Sequence, residues 1–180
     1  MIRIRGEKVT LRPIRPDELD VLTEAYRRPD FPIPGRPPPP SKVRRRIERT
    51  GRFVSGRLEL GVEAEGRLVG DVDARAPANA FPPGVFEIGV SLFDPEDRGK
   101  GYGIEATRLI TDHLFDAEEA DRVQASTAQE NTPMRRVLER LGFVEEGILR
   151  AFFPAGEGRD DYVLYAMTRA DWLARESGPA

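Results

Sequence analysis

The sequence contains no cysteine. This absence excludes disulfides, cysteine-ligated zinc and a thiol nucleophile. The one histidine, His113, cannot supply the several imidazoles of a common zinc enzyme, and we expect no metal site. It follows Ala106, Leu109 and Ile110 at helical spacing, which is typical of a histidine beside a packed helix face and not of a Ser-His-Asp triad.

Long hydrophobic runs are also absent from the sequence. No run approaches the ~20 residues that span a bilayer, and no apolar segment of a secretory signal follows the charged opening. We therefore expect a cytoplasmic protein without a membrane partner. The net charge is −3, with 25 Arg and 3 Lys, and gives no reason to expect a nucleic-acid partner. A chain of 180 residues, 39% of them hydrophobic, is predicted to form one domain, residues 1–180.

Hydrophobic periodicity predicts seven strands and four helices in the order β-α-α-β-β-β-α-β-α-β-β. This is an α/β (α+β) fold with a mixed, mostly antiparallel central sheet. The predicted strands are 9–13, the two arms of a hairpin within 58–74 that turns at 65–66, 85–93, 123–127, 148–153 and 162–167. The predicted helices are 16–28, 42–52, one after residue 103 with Ala106, Leu109, Ile110 and Leu114 on its buried face, and 133–141, closed by Gly142.

Three segments between these elements carry further expectations. Residues 29–40 contain seven prolines and are predicted to form a stiff surface loop. Ser41 is a plausible N-cap for the basic helix 42–52, which is interpreted as a solvated face or as a contact for an acidic acceptor or a phosphate. Asp171–Glu176 is expected to be a short polar tail that continues through residue 180.

A glycine-rich segment, Arg98–Gly103, lies between the apolar strand 85–93 and a helix. The first turn of a helix has backbone N–H groups without intrahelical partners, and its dipole favours an anion. Gly99, Gly101 and Gly103 let the backbone approach a ligand closely, while Arg98 and Lys100 add positive charge. The segment therefore predicts a phosphate-binding loop.

Residues Gly101–Ala106 also match the dinucleotide fingerprint GxGxxG/A, with Glu130 near the expected acidic position. A nicotinamide-dependent oxidoreductase is thus an alternative. The context argues against it, because a hairpin precedes the loop and fewer than 80 residues follow it. No Walker A motif occurs.

The segment Leu92 to Gly103, LFDPEDRGKGYG, resembles motif A of the GNAT superfamily of acetyl-CoA-dependent N-acetyltransferases, whose pattern Arg/Gln-x-x-Gly-x-Gly/Ala is filled by Arg98, Gly101 and Gly103. The segments GEKVTLRPIRPDE, ENTPMRRVLERLGF and DYVLYAMTRADW are similar to the branch with the RimJ and RimL ribosomal-protein N-terminal acetyltransferases. The resemblance implies the GNAT fold and acetyl transfer from acetyl-CoA to a primary amine, with CoA as product. A protein or peptide N-terminus is the preferred acceptor; an aminoglycoside or polyamine, or a non-catalytic acyl-CoA-binding module, is the alternative.

The resemblance also implies which residues contact acetyl-CoA. The pyrophosphate is expected on the loop before a helix that begins at Ile104, and the pantetheine arm along the backbone at Leu92 and Phe93. Asn131, which matches an asparagine at the start of the next helix, is expected to contact the cofactor arm or to cap that helix. The implied cofactor-binding residues are Leu92, Phe93, Arg98, Gly99, Lys100, Gly101, Tyr102, Gly103, Ile104 and Asn131.

Glu87 is the implied catalytic base, because it lies fourteen positions before Gly101, as does the catalytic glutamate of some GNAT enzymes, histone acetyltransferases among them. The alternative is a structural glutamate paired with a nearby arginine. Met134 stands where the branch often has a serine that protonates the leaving thiolate, so Tyr162, Tyr165 or solvent would have to serve. Asp161 and Tyr165 match the family's closing Asp-x-x-x-Tyr pattern, interpreted as acceptor-facing or as sheet-stabilising. Dimers are common among similar enzymes, so a homodimer is possible.

Overall fold

Eight strands form one mixed sheet in the computed structural model, which describes residues 1–28, 37–76 and 79–176. The strands are Ile4–Arg5 (β1), Thr10–Arg12 (β2), Arg57–Ala64 (β3), Arg67–Arg75 (β4), Val85–Leu92 (β5), Arg122–Ala128 (β6), Val144–Ala155 (β7) and Gly158–Thr168 (β8). Their spatial order is β1-β2-β3-β4-β5-β6-β8-β7. All neighbours are antiparallel except β5 and β6, which run parallel.

The hairpin of β3 and β4 has the turn that the sequence predicts. Leu60 pairs with Val72, and the chain reverses at Glu65 and Gly66. Both turn residues have positive φ, 51° and 77° respectively, which suits the right-handed twist of the flanking strands. The predicted hairpin is therefore confirmed.

Five α-helices lie within the described residues. They are Leu19–Ala25 (α1), which follows a 3-10 turn at Pro16–Glu18, Pro40–Ile47 (α2), Tyr102–Asp116 (α3), Thr132–Arg140 (α4) and Arg169–Glu176 (α5). The predicted apolar face of α3 is confirmed, because Ala106, Leu109, Ile110 and Leu114 are all buried. Helix α4 ends before Gly142, whose φ of 85° fits the predicted C-terminal stop.

The helices cover the two faces of the sheet. Helices α3 and α4 pack on the face that carries Leu60, Val72 and Ile88. Helices α1 and α2 join a smaller apolar cluster with Leu68 and Phe93. Because side chains alternate along a strand, the residues between the apolar positions of β3, β4 and β5 face the α2 side.

The first turn of α3 is tied to the N-terminal segment. The carboxylate of Glu105 accepts hydrogen bonds from the backbone N–H groups of Glu7, Lys8 and Val9 at 2.7, 2.7 and 2.8 Å. A carboxylate that accepts three N–H bonds is held in one orientation. This contact fixes the start of the helix that follows the glycine-rich segment.

The basic helix is shorter and begins earlier than expected. Helix α2 starts at Pro40, so Ser41 lies in its first turn and Pro39 is the N-cap. The prediction of Ser41 as the cap was wrong because proline suits the first helical position, where the N–H it lacks would have no partner. The helix ends at Ile47, whose carbonyl accepts a hydrogen bond from the Thr50 hydroxyl at 2.8 Å, and Gly51 then turns with a φ of 82°.

The predicted polar tail at Asp171–Glu176 is wrong, since residues 169–176 form α5. Trp172 is buried and stacks on Phe115 with ring centroids 5.3 Å apart. Its Nε1 donates a hydrogen bond to Asp112 at 3.0 Å. The burial of one indole therefore docks a segment whose other residues are mostly polar.

The remaining element predictions are confirmed to within a few residues at their ends, and the predicted order of eleven elements holds. Two additions are β1, which pairs Ile4 with Leu11, and α5. Of the predicted loop 29–40, residues 29–36 lie outside the described residues, and so do 177–180 of the tail. Among the helices of the described ranges, none is long and apolar enough to cross a membrane.

Candidate active site

A cleft opens where β5 and β6 separate. The two strands pair only from Val85 to Glu87, opposite Arg122 to Gln124. Beyond Glu87, β5 stays paired with β4, whereas β6 stays paired with β8. The edge of β5 from residue 88 to 92 therefore has no strand partner within the described residues, and it borders a cavity of about 810 Å³.

The register decides which backbone groups of β5 face this cleft. The N–H of Phe93 donates to the carbonyl of Val69 at 2.9 Å, toward β4. In an antiparallel pair, alternate residues direct both backbone groups to the same neighbour. Leu92 and Val90 therefore present their N–H and C=O groups at the open edge. The expectation that the Phe93 N–H contacts the cofactor is corrected, because β4 uses that group.

Seven of the ten predicted cofactor-binding residues line the cleft. They are Leu92, Arg98, Gly99, Gly101, Gly103, Ile104 and Asn131. These residues come from β5, from the glycine-rich loop with the first turn of α3, and from the N-cap of α4. The structure thus brings together three segments that the sequence analysis assigned to one ligand.

The glycine-rich loop ends at Gly101, the N-cap of α3. Gly99 and Gly101 have φ values of 76° and 89°, in the region that favours glycine. The first backbone bond of the helix joins the Glu105 N–H to the Gly101 carbonyl. The N–H groups of residues 102 to 104 therefore lack intrahelical acceptors at a positive helix end, an arrangement that binds phosphate.

The side chains of Phe93, Lys100 and Tyr102 point away from the cleft lining. Phe93 is buried in the cluster with α1 and α2. The Lys100 ammonium lies 3.4 Å from Asp97, and the buried Tyr102 donates its hydroxyl proton to Glu65 at 2.9 Å. Lys100 and Tyr102 can therefore contribute backbone groups to a ligand in the cleft, whereas the Phe93 N–H is bonded to β4.

Asn131 both caps α4 and lines the cleft. Its Oδ1 accepts from the Met134 N–H at 3.3 Å, and its Nδ2 donates to Thr127 at 3.0 Å. Met134 also lines the cleft, where its thioether has no proton to donate. The capping role of Asn131 is confirmed, and the side chain is held at the wall of the cavity.

Sequence reasoning missed two arginines of α4, Arg136 and Arg140, at the wall of the cleft. They are four residues apart, so they lie on one face of the helix. Together with Arg98 they give the cleft three guanidinium groups. The sequence does contain a signal for them, because Arg136 and Arg140 are a basic pair at i, i+4 spacing within the predicted helix 133–141.

Glu87 lies on the α2 side of the sheet and is held by two neighbours. Arg75 donates to its Oε1 at 2.8 Å, and Gln124 approaches its Oε2 at 3.3 Å. The side chain is 18% exposed. The pairing with a nearby arginine, which the sequence allowed as a structural role, is present, and it fixes the orientation of the carboxylate.

Three further carboxylates lie beside Glu87 on neighbouring strands. Glu59, Asp71 and Asp73, with Glu87, form what we call the carboxylate row. Arg46 of α2 donates to Glu59 at 2.8 Å and to Asp71 at 2.7 Å. Burial raises the pKa of Asp71 to about 6, because desolvation outweighs the attraction of Arg46, and the neighbouring carboxylates of Asp73 and Glu59 act in the same direction.

Asp73 is the member of the row whose carboxylate overhangs β5. It pairs in register with Gly89, and a Cβ at Gly89 would lie 2.6 Å from Asp73 Oδ1. Arg57 and Arg75 approach its other oxygen at 3.2 Å each. Burial raises the pKa of Asp73, which favours proton uptake. Because Gly89 has no side chain, the Asp73 carboxylate can occupy the space above it. Gly89 is the residue before Val90, which lines the cleft.

The tyrosines considered as proton donors do not line the cleft. Tyr165 is fully buried, and its hydroxyl contacts Arg135, Glu139 and Glu145 beneath α4. Tyr162 stacks on Phe153 with centroids 5.1 Å apart. Burial raises the pKa of both hydroxyls.

Asp161 accepts a hydrogen bond from the Ala151 N–H at 2.7 Å, across the pair β7 and β8. This contact lies within the sheet. It favours the sheet-stabilising interpretation of Asp161 over the acceptor-facing one.

Comparison with known proteins decides the family of this site. The model of the acetyltransferase (GNAT) domain matches residues 8–144. The chain belongs to this family. GNAT acetyltransferases use acetyl-CoA, so the chain is an acetyl-CoA-dependent N-acetyltransferase. The nicotinamide-dependent alternative for Gly101–Ala106 is thereby excluded, in agreement with the antiparallel strand β4 beside β5.

Two relatives from Bacillus subtilis (strain 168) have similar sequences. The uncharacterised N-acetyltransferase YnaD is 32% identical over 92 residues, an alignment that spans 51% of this chain and 54% of YnaD. The uncharacterised, SPbeta prophage-derived N-acetyltransferase YokL is 26% identical, and the alignment spans 93% of each chain. The second alignment shows that the similarity extends over nearly the whole chain.

Three solved structures share the fold. A GNAT-family acetyltransferase from Bacillus anthracis has a TM-score of 0.76 at 24% identity, covering 94% of this chain and 99% of that one. A ribosomal-protein-S5-alanine acetyltransferase from Vibrio fischeri has 0.79 at 22%, covering 96% and 99%. A chimera of Vibrio cholerae spermidine N-acetyltransferase SpeG and hSSAT has 0.78 at 19%, covering 93% and 99%. At these identities the structures establish the GNAT fold alone.

Proposed function

We propose that the acceptor of this N-acetyltransferase is the N-terminal amine of a protein or peptide. The support is the resemblance of four segments to the RimJ and RimL branch, together with a fold shared with an acetyltransferase that acts on ribosomal protein S5. A small amine, such as a polyamine or an aminoglycoside, is the second candidate, since the spermidine N-acetyltransferase chimera has the same fold.

The observation that carries the proposed binding of acetyl-CoA is the open edge of β5 next to the glycine-rich loop. In our proposal the loop from Arg98 to Gly103 binds the pyrophosphate of acetyl-CoA through its N–H groups. The backbone of Val90 and Leu92 pairs with the pantetheine arm as an added strand would. Asn131 contacts the arm from α4, and Arg136 and Arg140 are positioned for the remaining phosphate charge.

Acetyl-CoA, when bound, supplies a thioester-activated acetyl group at this edge. The residues of the chain have two tasks. The N–H group of Val90 donates a hydrogen bond to the carbonyl oxygen as negative charge develops on it, while Leu92 and the Val90 carbonyl pair with the pantetheine arm. A carboxylate on the α2 side removes the proton that the attacking ammonium group must lose.

We propose Glu87 as this base. Glu87 precedes Val90 by three residues, about 10 Å along the strand, so the proton would pass through water. Its contacts with Arg75 and Gln124 hold the carboxylate in place. Asp73 is the second candidate, because its Oδ1 lies above Gly89, closer to the cleft. Since Met134 has no proton to donate, the leaving thiolate would take one from solvent.

The test is mass spectrometry of peptide N-termini and small amines incubated with acetyl-CoA and the protein. We expect acetylated peptides from the wild type. In Glu87→Gln we expect turnover to fall by about 100-fold or more. The affinity of this variant for acetyl-CoA should stay within a factor of about two of the wild type. The matched variant Asp73→Asn separates the two carboxylates.

Each outcome of that test has a defined meaning. If Asp73→Asn loses turnover and Glu87→Gln keeps it, the base is Asp73. If neither variant changes turnover, both assignments are wrong. If only small amines are acetylated, the peptide acceptor is wrong and the masses of the products identify the class.

The RimJ and RimL resemblance supports two further proposals, a homodimer and a cytoplasmic location. Size-exclusion chromatography with light scattering tests the first. A single peak at the 20.2 kDa of one chain would contradict it.

A further inference from the structure

A second cavity, of about 470 Å³, lies between α2 and β3 and is strongly basic. Its charged lining contains five cations and one carboxylate: Lys42, Arg45, Arg46, Arg49, Arg57 and Glu59. We call this cavity the α2 pocket. It lies on the same side of the sheet as the carboxylate row, since Arg46 and Arg57 contact both.

Four of the cations form a stripe, three on one face of α2 and one in the turn that follows it. Lys42, Arg45 and Arg46 are spaced i, i+3 and i+4, so their side chains are neighbours. Arg49 comes two residues after Ile47, where the helix ends. Like charges at these spacings destabilise a helix. Burial of Val43 and Ile47 fixes the orientation of the helix against the sheet. The stripe is therefore held over the pocket at an electrostatic cost.

The carboxylates around the pocket compensate only two of its five cations. Arg46 is paired with Glu59 and Asp71, and Arg57 with Glu59 and Asp73. Lys42, Arg45 and Arg49 are exposed, and none forms an ion pair with another residue of the described ranges. Three cations at one cavity thus remain available to an anion.

The pocket lies at a defined distance from the proposed base. Arg57 of β3 is in register with Arg75 of β4, which is in register with Glu87 of β5. Two strand spacings of about 4.8 Å separate Arg57 from Glu87, about 10 Å in total. The attacked carbonyl lies at Val90, three residues or about 10 Å further along β5, so about 14 Å separates the reacting amine from Arg57. A ligand of about this length can therefore reach the pocket with a second group.

We propose that the α2 pocket binds an anionic group, a carboxylate or a phosphate, on the acceptor whose amine is acetylated. This inference rests on the proposed function and names the class of acceptor: an amine with a negative group about 14 Å away. In a peptide, which spans about 3.3–3.6 Å per extended residue, that group is an acidic side chain near the fourth or fifth residue.

The first experiment measures anion binding without acetyl transfer. Thermal unfolding is followed at constant ionic strength with inorganic phosphate or succinate, and with saturating CoA to occupy the glycine-rich loop. We expect either anion to raise the Tm of the wild type. The double variant Arg45→Gln/Arg49→Gln should lose at least half of this shift. The matched control is Arg44→Gln, which removes an exposed charge of α2 outside the pocket and should keep the shift.

The second experiment compares peptides that differ only in Asp or Asn at the fourth residue. We expect kcat/KM to be roughly tenfold higher for the Asp peptide with the wild type and with Arg44→Gln. The ratio should fall to about one in the double variant, mainly through KM. A Glu peptide and a phosphoserine peptide distinguish a carboxylate from a phosphate as the preferred group.

The outcomes separate the pocket from the acceptor. If the double variant keeps the full anion-dependent Tm shift, anions do not bind in the α2 pocket and the proposal is wrong. If the double variant loses the Tm shift while the wild type acetylates the Asp and Asn peptides with equal kcat/KM, the pocket binds a free anion and does not recognise the acceptor. If no peptide is acetylated by any variant, the proposed peptide acceptor is wrong, while the Tm series still decides whether the pocket binds anions.

Discussion

The cleft beside β5 and the carboxylate row lie on adjacent parts of one sheet, and they are built differently. The cleft is made largely of backbone, with N–H groups at the open strand edge and at the start of α3, and of segments that are continuous in the chain. The carboxylate row is made of side chains from β3, β4 and β5, compensated by Arg46, Arg57 and Arg75. The first region can hold a ligand mainly through backbone groups, with three arginines at its wall, whereas the second depends on every partner being present.

This difference predicts opposite responses to substitution. Changes in the loop should alter ligand affinity and leave folding largely intact. Changes in the row should alter stability and its pH dependence first, because removing one partner leaves another charge buried without compensation.

The largest effect is expected for Arg46→Gln. This change removes the arginine that pairs with both Glu59 and Asp71, two carboxylates at most 10% exposed. We expect the free energy of unfolding at pH 7 to fall by about 4 kcal/mol, measured by urea denaturation. Arg44→Gln, on the same helix, should change it by less than about 0.5 kcal/mol. Equal values for the two variants would show that the row does not depend on Arg46.

A pH-dependent effect of up to about 3 kcal/mol is expected at Asp71. Its pKa is raised from 3.8 to about 6 in the folded protein, so between these values the folded state binds more protons than the unfolded state. The stabilising contribution of this group is present below pH 4 and is lost as the pH rises through 6. Asp71→Asn should therefore become progressively more stable relative to the wild type from pH 4 to pH 7. Parallel unfolding curves across this range would contradict the raised pKa.

The smallest effect on stability, with a clear effect on affinity, is expected for Gly101→Ala. The φ of 89° at Gly101 costs an alanine about 1–2 kcal/mol, and the new Cβ would lie 3.0 Å from Lys8 Nζ. Because an alanine disfavours the positive φ that the loop adopts at the start of α3, we expect roughly tenfold weaker binding of acetyl-CoA by calorimetry.

Gly66→Ala is the matched control for this change. Its φ of 77° gives similar strain, and nothing lies within 4 Å of the added Cβ. It should lower Tm to a similar degree without changing affinity. Weaker binding by both variants would mean that strain, and not the loop, is responsible.

The same contrast explains how much could be predicted from the sequence. The hairpin, the order of elements and the glycine-rich loop follow from local patterns, because their residues are neighbours in the chain. Glu87 was identified by its position, but its partner Arg75 lies on another strand and depends on register. The carboxylate row could not be predicted, because Asp71 and Asp73 alternate with apolar residues as in any half-exposed strand. Helix α5 was missed because its docking depends on Trp172 meeting Phe115 across the fold.

The central claim is that acetyl-CoA binds at the open edge of β5. Hydrogen–deuterium exchange of backbone amides, with and without acetyl-CoA, tests it most directly. We expect acetyl-CoA to slow exchange in peptides that cover residues 88–92 and 99–104, and to leave β3, residues 57–64, unchanged. Slower exchange in β3 with no change at residues 88–92 would contradict the claim.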